Sequence, residues 1–349
     1  MVTSEQVAKL AGVSRATVSR VLNGSTHVSE ETKKRIYAAM AELGYEANIF
    51  ARTSLSECSR VIALALFGSE DDLNLSRLTA TRFYFYVKVL EAIERELAKE
   101  RYDLFLPSRP STAIDHPEKN YILALRAQRV EGVIALAVQA DDPCIQALCR
   151  STIPTVFVDN IFEAIHTTYV KSDFLDGARQ ATEHLLKLGH RRIAFFPGGT
   201  IALTGTERFL GYQQAMARAG LVMDPNLVRF SGWELSEAYQ EAMTLLSERR
   251  DFTAIVAASD MLALGILRAL REHGLRVPED ISLIGFDDIN LSQDSDPPLT
   301  TIWQDTQALA RGSVSRLLRL IAGEKAVEPL VVPTQLIVRA STGSAPERE

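Results

Sequence analysis

Side chains able to hold a polar ligand recur where apolar runs of the sequence end. Asp159 follows PTVFV, and the pair Asp287–Asp288 follows SLIGF. Thr204 and Arg208 stand four residues apart near the start of a helical stretch, a spacing that puts both on one face. A carboxylate accepts protons from two hydroxyls, a guanidinium donates to others, and an indole such as Trp233 covers the apolar face of a pyranose. Neighbours in an extended chain point opposite ways, so Asp287 and Asp288 are not expected to share one ligand. Taken alone, each Asp or Arg reads more readily as a surface ion pair, and Trp233 equally well as plain packing. A second set lies near the N-terminus, where Arg15, Ala16, Thr17 and Arg20 fall on the outer face of a short helix. An arginine there can grip guanine O6 and N7 together, worth about 1–3 kcal/mol of discrimination between bases. Signs of catalysis are lacking: none of the six histidines has metal-ligand spacing, and G-x-S-x-G, P-loop and G-x-G-x-x-G patterns do not occur. No enzyme activity, metal or cofactor is expected. His190, just after the helix-ending Gly189, reads as a cap at a negative helix end.

The elements that must carry these residues fall into two styles. At the N-terminus, Thr3 and Gln6 form a capping box for a helix carrying Val7, Ala8 and Leu10, and Gly12 supplies the turn that ends it. Ser14 caps a second helix, whose apolar face is Val18, Val21 and Leu22. The pair reads as a helix-turn-helix, in which the start of the second helix reaches base edges. A third helix starts at Ser29, buries Ile36, Met40 and Leu43, and stops at Gly44. From Arg60 the text changes to alternating apolar runs and amphipathic stretches. The runs at 61–67, 102–106, 132–138, 154–158, 192–196 and 253–258, with SLIGF, read as buried parallel strands. Helices are expected at 86–100, 119–127, 174–188, 207–219, 235–249 and 260–273. Such βα alternation implies doubly wound parallel sheets, and so many strands suggest two lobes. Ligands in open α/β sheets sit beyond the carboxyl ends of the strands, which places one between facing lobes.

Charge is unevenly spread. Residues 1–60 hold 8 Lys/Arg against 6 Asp/Glu, while the rest holds 30 against 38. A slightly basic head on an acidic body suits nucleic-acid contact at one end. The opening MVTSEQVAKL has no basic start or apolar core, and no apolar run approaches bilayer length, so a cytoplasmic protein without a membrane partner is expected. The same features argue against a solute-binding transport receptor. Cys58, Cys144 and Cys149 fit neither a disulfide framework nor a zinc site.

The run VAKLAGVSRATVSRVLNGSTHVSEETKKRI closely resembles the headpiece of the lactose/galactose repressor (LacI/GalR) family. Later stretches carry the resemblance along nearly the whole chain: GHRRIAF (189–195), RFLGY (208–212), ASDMLALG (258–265), GFDDI (285–289) and PPLTTI (297–302). It implies an α/β protein with an N-terminal helix-turn-helix headpiece at 1–46, a hinge at 47–59 and a two-lobed, periplasmic-binding-protein-like effector core at 60–345. One lobe would span about 60–171 and 302–331, the other about 172–301 and 332–345. The implied protein is a transcription regulator, a repressor by type. It would bind a pseudo-palindromic double-stranded operator as a homodimer, under control of a small molecule. A sugar is the first expectation for that effector, and a nucleoside or sugar phosphate the second. The tail STGSAPERE has no heptad pattern for further assembly.

The resemblance also assigns roles. Arg15 and Ala16 stand where operator choice varies and Arg20 at a base-reading position, with Ser14, Thr17, Ser19 and Asn23 as phosphate or capping groups. In the hinge, Tyr45, Asn48, Ala51 and Arg52 match, but Ala47 replaces a proline and Ser54 the leucine that wedges into the minor groove. Either Leu55, one place later, or Phe50 is then the wedge, or the protein kinks DNA less. Asp287 is the acid that faces the ligand, joined by Ser259, Gln304 and an aromatic from 83–86, for which Phe85 is chosen. Residues 68–82 form an unusually long loop, which reads either as a solvated loop or as shaping a site for a larger or more charged effector, with Arg77 or Arg82 to meet an anionic group.

Overall fold

The computed structural model describes residues 3–22, 28–43, 58–66, 83–107, 116–139, 141–199 and 203–347. The chain divides into two compact units, Met1–Ser59 and Arg60–Glu349.

The first unit holds α1 (Ser4–Ala11), α2 (Arg15–Leu22) and α3 (Glu30–Leu43). Thr3 and Gln6 form the capping box, and Gly12 ends α1 in a left-handed conformation. Val7, Ala8, Ala11, Val18, Val21, Ile36 and Ala39 make the small core, with Met40 and Leu43 packed at its edge. Leu10 is not part of it. It lies off the Val7–Ala8–Ala11 stripe and is 45% exposed.

The second unit contains two sheets. One has six parallel strands in the order β10-β5-β4-β3-β1-β2, built from β1 (Val61–Leu66), β2 (Asp103–Phe105), β3 (Gly132–Leu136), β4 (Thr155–Val158), β5 (Thr167–Ser172) and β10 (Leu330–Val332). Its central strands are apolar on both faces because helices cover both. α4 (Tyr84–Lys99) and α12 (Thr306–Ile321) lie on one face, α5 (Pro117–Ala127) and α6 (Pro143–Arg150) on the other. The second sheet has parallel strands β6 (Ile193–Phe196), β7 (Ala254–Ala257) and β8 (Ser282–Ile284). The antiparallel pair β9 (Thr301–Gln304) and β11 (Thr334–Ile337) extends it through single bridges from Ile284 to Thr300 and from Asp287 to Trp303. Its helices are α7 (Phe174–Lys187), α8 (Leu203–Arg218), α9 (Leu235–Glu248), α10 (Asp260–Glu272) and the short α11 (Asn290–Asp294).

The chain passes between the sheets three times: between β5 and α7, between β9 and α12, and between β10 and β11. The second passage falls after Gln304 rather than before residue 302, because β9 pairs with β11 and belongs to the second sheet. Strands β5, β9, β10 and β11 and helices α6, α11 and α12 go beyond the elements expected from periodicity.

His190 corrects another expectation. The cap on α7 is the His190 main-chain N–H, which donates to Leu185 O at 3.1 Å. Its ring is buried and sits 2.8 Å from Thr253 Oγ1, 3.0 Å from Ser282 Oγ and 3.1 Å from Gly343 O. The ring thus joins the starts of β7 and β8 to the C-terminal segment. Burial lowers its pKa, so it folds neutral. The stability tied to this neutral ring is present above the unfolded value and is lost as pH falls through the folded one. His190→Ala leaves a cavity and unmet polar partners. It should cost about 2–4 kcal/mol and lower Tm by several degrees in calorimetry at neutral pH. The gap to wild type should narrow below about pH 6.

Candidate functional site

The headpiece presents α2 much as its sequence suggests. Val18 and Val21 turn inward, leaving Arg15, Ala16 and Arg20 exposed and Thr17 and Ser19 half-buried. Ser14 Oγ accepts the Thr17 N–H at 3.1 Å and lies 2.9 Å from the Thr17 hydroxyl, so these two hydroxyls fix the start of the helix. Asn23, Tyr45, Asn48, Phe50, Ala51, Arg52 and Leu55 lie outside the described residues, as do Arg77 and Arg82 of the 68–82 loop.

In the second unit the carboxyl ends of β4 and β8 bring together a buried polar cluster. Asp159 follows β4 with φ +62°, its N–H held by Val170 O at 2.9 Å. That geometry turns its carboxyl so that Oδ1 accepts the Ser172 N–H at 3.3 Å. Asp287 follows β8 with φ +116° and Asp288 with φ +53°. The two acids do part company, although by a left-handed turn and not by extended alternation. Asp287 Oδ1 accepts Gln304 Nε2 at 2.7 Å and faces Arg208 Nη2 at 3.5 Å, whereas Asp288 pairs with Arg339 at 2.6 Å.

Arg208 sits on α8 with Thr204 one turn before it, and both are buried. Its guanidinium carbon lies 4.0 Å from the Phe286 ring centroid, 4.6 Å from Phe174 and 5.7 Å from Trp233. Cations over aromatic faces are stabilised by the ring quadrupole, more so when desolvated. Trp233 itself rests on main chain, since a Cβ on Gly199 would come within 2.8 Å of its Nε1. Behind the cluster, buried Asp260 accepts Thr301 Oγ1 at 2.6 Å and Ile289 N–H at 2.9 Å, which anchors the turn after Asp287.

The aromatic from the start of α4 is Tyr86, in place of Phe85. Phe85 packs into the core under the six-stranded sheet and meets Tyr86 edge-on. The Tyr86 hydroxyl faces the Asp159 carboxyl and feels Arg208 and Asp287. Ser259 also has a different employment, capping α10 by accepting the Leu262 N–H at 3.2 Å.

Burial is the leading influence on every titratable group in the cluster. It pushes Asp159 up to about 6 and Asp260 up to about 7, and it raises Asp287. Arg208 opposes the rise at Asp159 and Asp287. Desolvation also lowers Arg208, with the Asp287 charge acting against it, and it raises Tyr86. Among the described residues, Asp159 Oδ2, Arg208 Nε, Gln304 Oε1 and Ser172 Oγ make no hydrogen bond of normal geometry. Buried polar atoms are nearly always paired, so a group of open ones in one place implies a partner from outside. Carboxylate, amide and hydroxyl oxygens beside a guanidinium N–H suit a ligand rich in hydroxyls. Asp287 and Asp159 both act on the one guanidinium, so little positive charge is left to hold a phosphate.

A model of the bacterial regulatory proteins of the lacI family matches residues 4–48, and one of a periplasmic binding protein-like domain matches residues 182–342. The HTH-type transcriptional regulator CelR of Thermobifida fusca is 36% identical over 343 residues, covering 97% of this chain and 98% of its own. The HTH-type transcriptional repressor PurR of Haemophilus influenzae is 32% identical across 99% of both chains. Among solved structures, the lac repressor dimer bound to operator and the anti-inducer ONPF matches with a TM-score of 0.83 at 31% identity, covering 98% of this chain and 99% of that one. The CelR–cellobiose complex matches with a TM-score of 0.72 at 34% identity, covering 98% and 100%. The chain belongs to the lacI family of bacterial regulatory proteins. It is a ligand-responsive, DNA-binding transcription regulator. No helix among the described residues is long and apolar enough to cross a membrane.

The raised Asp159 has a measurable consequence. A carboxyl whose folded pKa lies above its unfolded one contributes stability that is full below the unfolded value and is lost as pH rises through the folded value. Asp159→Asn should therefore stabilise the unliganded protein at pH 7.5 by on the order of 2–3 kcal/mol. The gain should vanish toward pH 4, as read by denaturant titration at both values.

Proposed function

We propose that the two sheets are the lobes of an effector-binding core, about 60–171 with 305–331 and about 172–304 with 332–345, and that the buried polar cluster between them binds a neutral sugar. The observation that carries this reading is the set of open polar atoms on Asp159, Arg208, Gln304 and Ser172 beside Trp233 and Tyr86. Asp159 and Asp287 accept ligand hydroxyl protons, Arg208 and Gln304 orient the ring, and Trp233 covers its apolar face. Thr204 completes that wall. Phe85 and Ser259 support it from behind. The relative solved with cellobiose makes a glucose disaccharide the first compound to test.

Occupancy of this site alters operator affinity by linkage, with a coupling of about 1–3 kcal/mol. Arg15, Ala16 and Arg20 read bases, while Ser14, Thr17, Ser19 and Asn23 meet phosphates. Tyr45, Asn48, Ala51, Arg52 and Leu55 act in the hinge. Two headpieces on a pseudo-palindromic operator require a homodimer, and the relative solved on operator is a dimer. The protein works in the cytoplasm and catalyses no reaction.

A thermal-shift panel of mono- and disaccharides, nucleosides and sugar phosphates tests the core. At a hundredfold excess over Kd a cleft ligand adds about 2.7 kcal/mol, a shift of several degrees. Cellobiose or a related neutral sugar should raise Tm in wild type and leave Asp287→Ala unmoved. A response to sugar phosphates alone contradicts the neutral-sugar reading. For the headpiece, Arg20→Ala should lose base preference in a gel-shift series on selected duplexes. Retention of both affinity and preference removes its base-reading role.

A further inference from the structure

One buried ion pair beside the cluster has no part in the ligand set. Lys171 on β5 donates to Glu207 Oε1 at 2.7 Å and also to Oε2. The two side chains are only 10% and 19% exposed. The pair joins the six-stranded sheet to α8, and each member neighbours a residue of the site. Ser172 follows Lys171 and holds Asp159 Oδ1, and Arg208 follows Glu207. Close packing brings α8 into reach: a Cβ on Gly211 would lie 2.2 Å from Leu175 O of α7, so glycine lets the two helices touch.

Stability alone is a weak reason for such a pair, because desolvation offsets most of its attraction. Its effect on Asp159 is more specific. After Arg208, Lys171 is the other cation acting on that carboxyl. A lysine ammonium is a compact charge on a long rotatable stem. Left unrestrained next to a buried carboxylate with one open oxygen, it would pair with that oxygen. Glu207 offers the ammonium two oxygens instead.

We propose that Glu207 is a positioning residue: it holds the Lys171 ammonium off Asp159, so that the second Asp159 oxygen stays open for an effector hydroxyl. This rests on the reading of the cluster as the effector site. The charged and titratable groups around Asp159 are Tyr86 from α4, Lys171 from β5, Arg208 and, behind Lys171, Glu207 from α8, and Asp287 after β8, itself next to Asp260. Lys171 Nζ lies over the same Phe174 ring as Arg208, at 5.8 Å against 4.6 Å, and because Arg208 is engaged with Asp287, Lys171 is the cation left to turn to Asp159 if Glu207 lets go.

The test uses full-length protein with 13C-labelled aspartate carboxyls, the Asp159 signal being assigned from Asp159→Asn and titrated without ligand from about pH 4 to 9. In Glu207→Gln the released ammonium should lower the Asp159 midpoint by about one unit or more. Glu207→Asp should restore it, and the double variant Lys171→Met/Glu207→Gln, which has no ammonium to release, should show no fall. Cellobiose and the neutral sugars of the panel are then titrated into the same proteins. Glu207→Gln should bind about tenfold more weakly, and the double variant should return to within about threefold of wild type. An Asp159 midpoint unchanged in folded Glu207→Gln overturns the proposal, as does an equal loss of affinity in the single and double variants. If wild type binds no compound of the panel, the effector-site reading fails separately, and the ligand-free titration still decides the role of Glu207.

Discussion

A guanidinium with 5% exposure must be neutralised where it lies, and Arg208 organises the core of this protein through that need. One carboxylate, Asp287, faces it directly, and three rings surround it. The carboxylate in turn depends on a left-handed turn after β8, which Asp260 pins by accepting the Ile289 N–H. Gln304, at the end of β9 where the chain crosses between sheets, ties the same carboxylate to that crossing. Strain and burial of this kind concentrate where a protein needs a fixed polar geometry. The open valences that remain are what a ligand would complete.

The arrangement gives the proposed effector a way to bias the conformation of the core. Asp159 and Tyr86 come from elements of the six-stranded sheet, and Arg208 and Asp287 from the other. A ligand that satisfies both sets favours one disposition of the sheets over any other. It shifts an equilibrium only by its differential affinity for the two states. Tight binding alone would transmit nothing.

Much of the fold was legible in sequence because long apolar runs bounded by polar turns have one economical burial, the doubly covered parallel sheet. Shorter, mixed strands escaped. Thr167–Ser172 contains a buried lysine and two adjacent threonines, and only the pairing with β4 and β10 makes it a strand. The acids of the cluster were legible as the residues ending those runs, but the backbone turn that orients them was not. The separation of Asp287 from Asp288 comes from positive φ angles that no residue pattern announced. Four consecutive aromatics at 83–86 left the choice of Phe85 over Tyr86 undecidable, because one residue turns a helix by about 100°. The packing of Phe85 into the core under the six-stranded sheet, which leaves Tyr86 beside Asp159, decides it. Lys171 and Glu207 were invisible for a plainer reason. They are 36 residues apart, and nothing local to either predicts the other.

On the proposed linkage, the sensing core and the base-reading head share one equilibrium. It is tested most directly by measuring effector affinity, from quenching of Trp233 in a protein whose other tryptophan, Trp303, is replaced by phenylalanine, with and without a saturating selected operator duplex. Linkage requires the operator to change the effector Kd, by about 5- to 150-fold, and by the factor that effector changes operator affinity. Identical effector Kd values in the two conditions would contradict it.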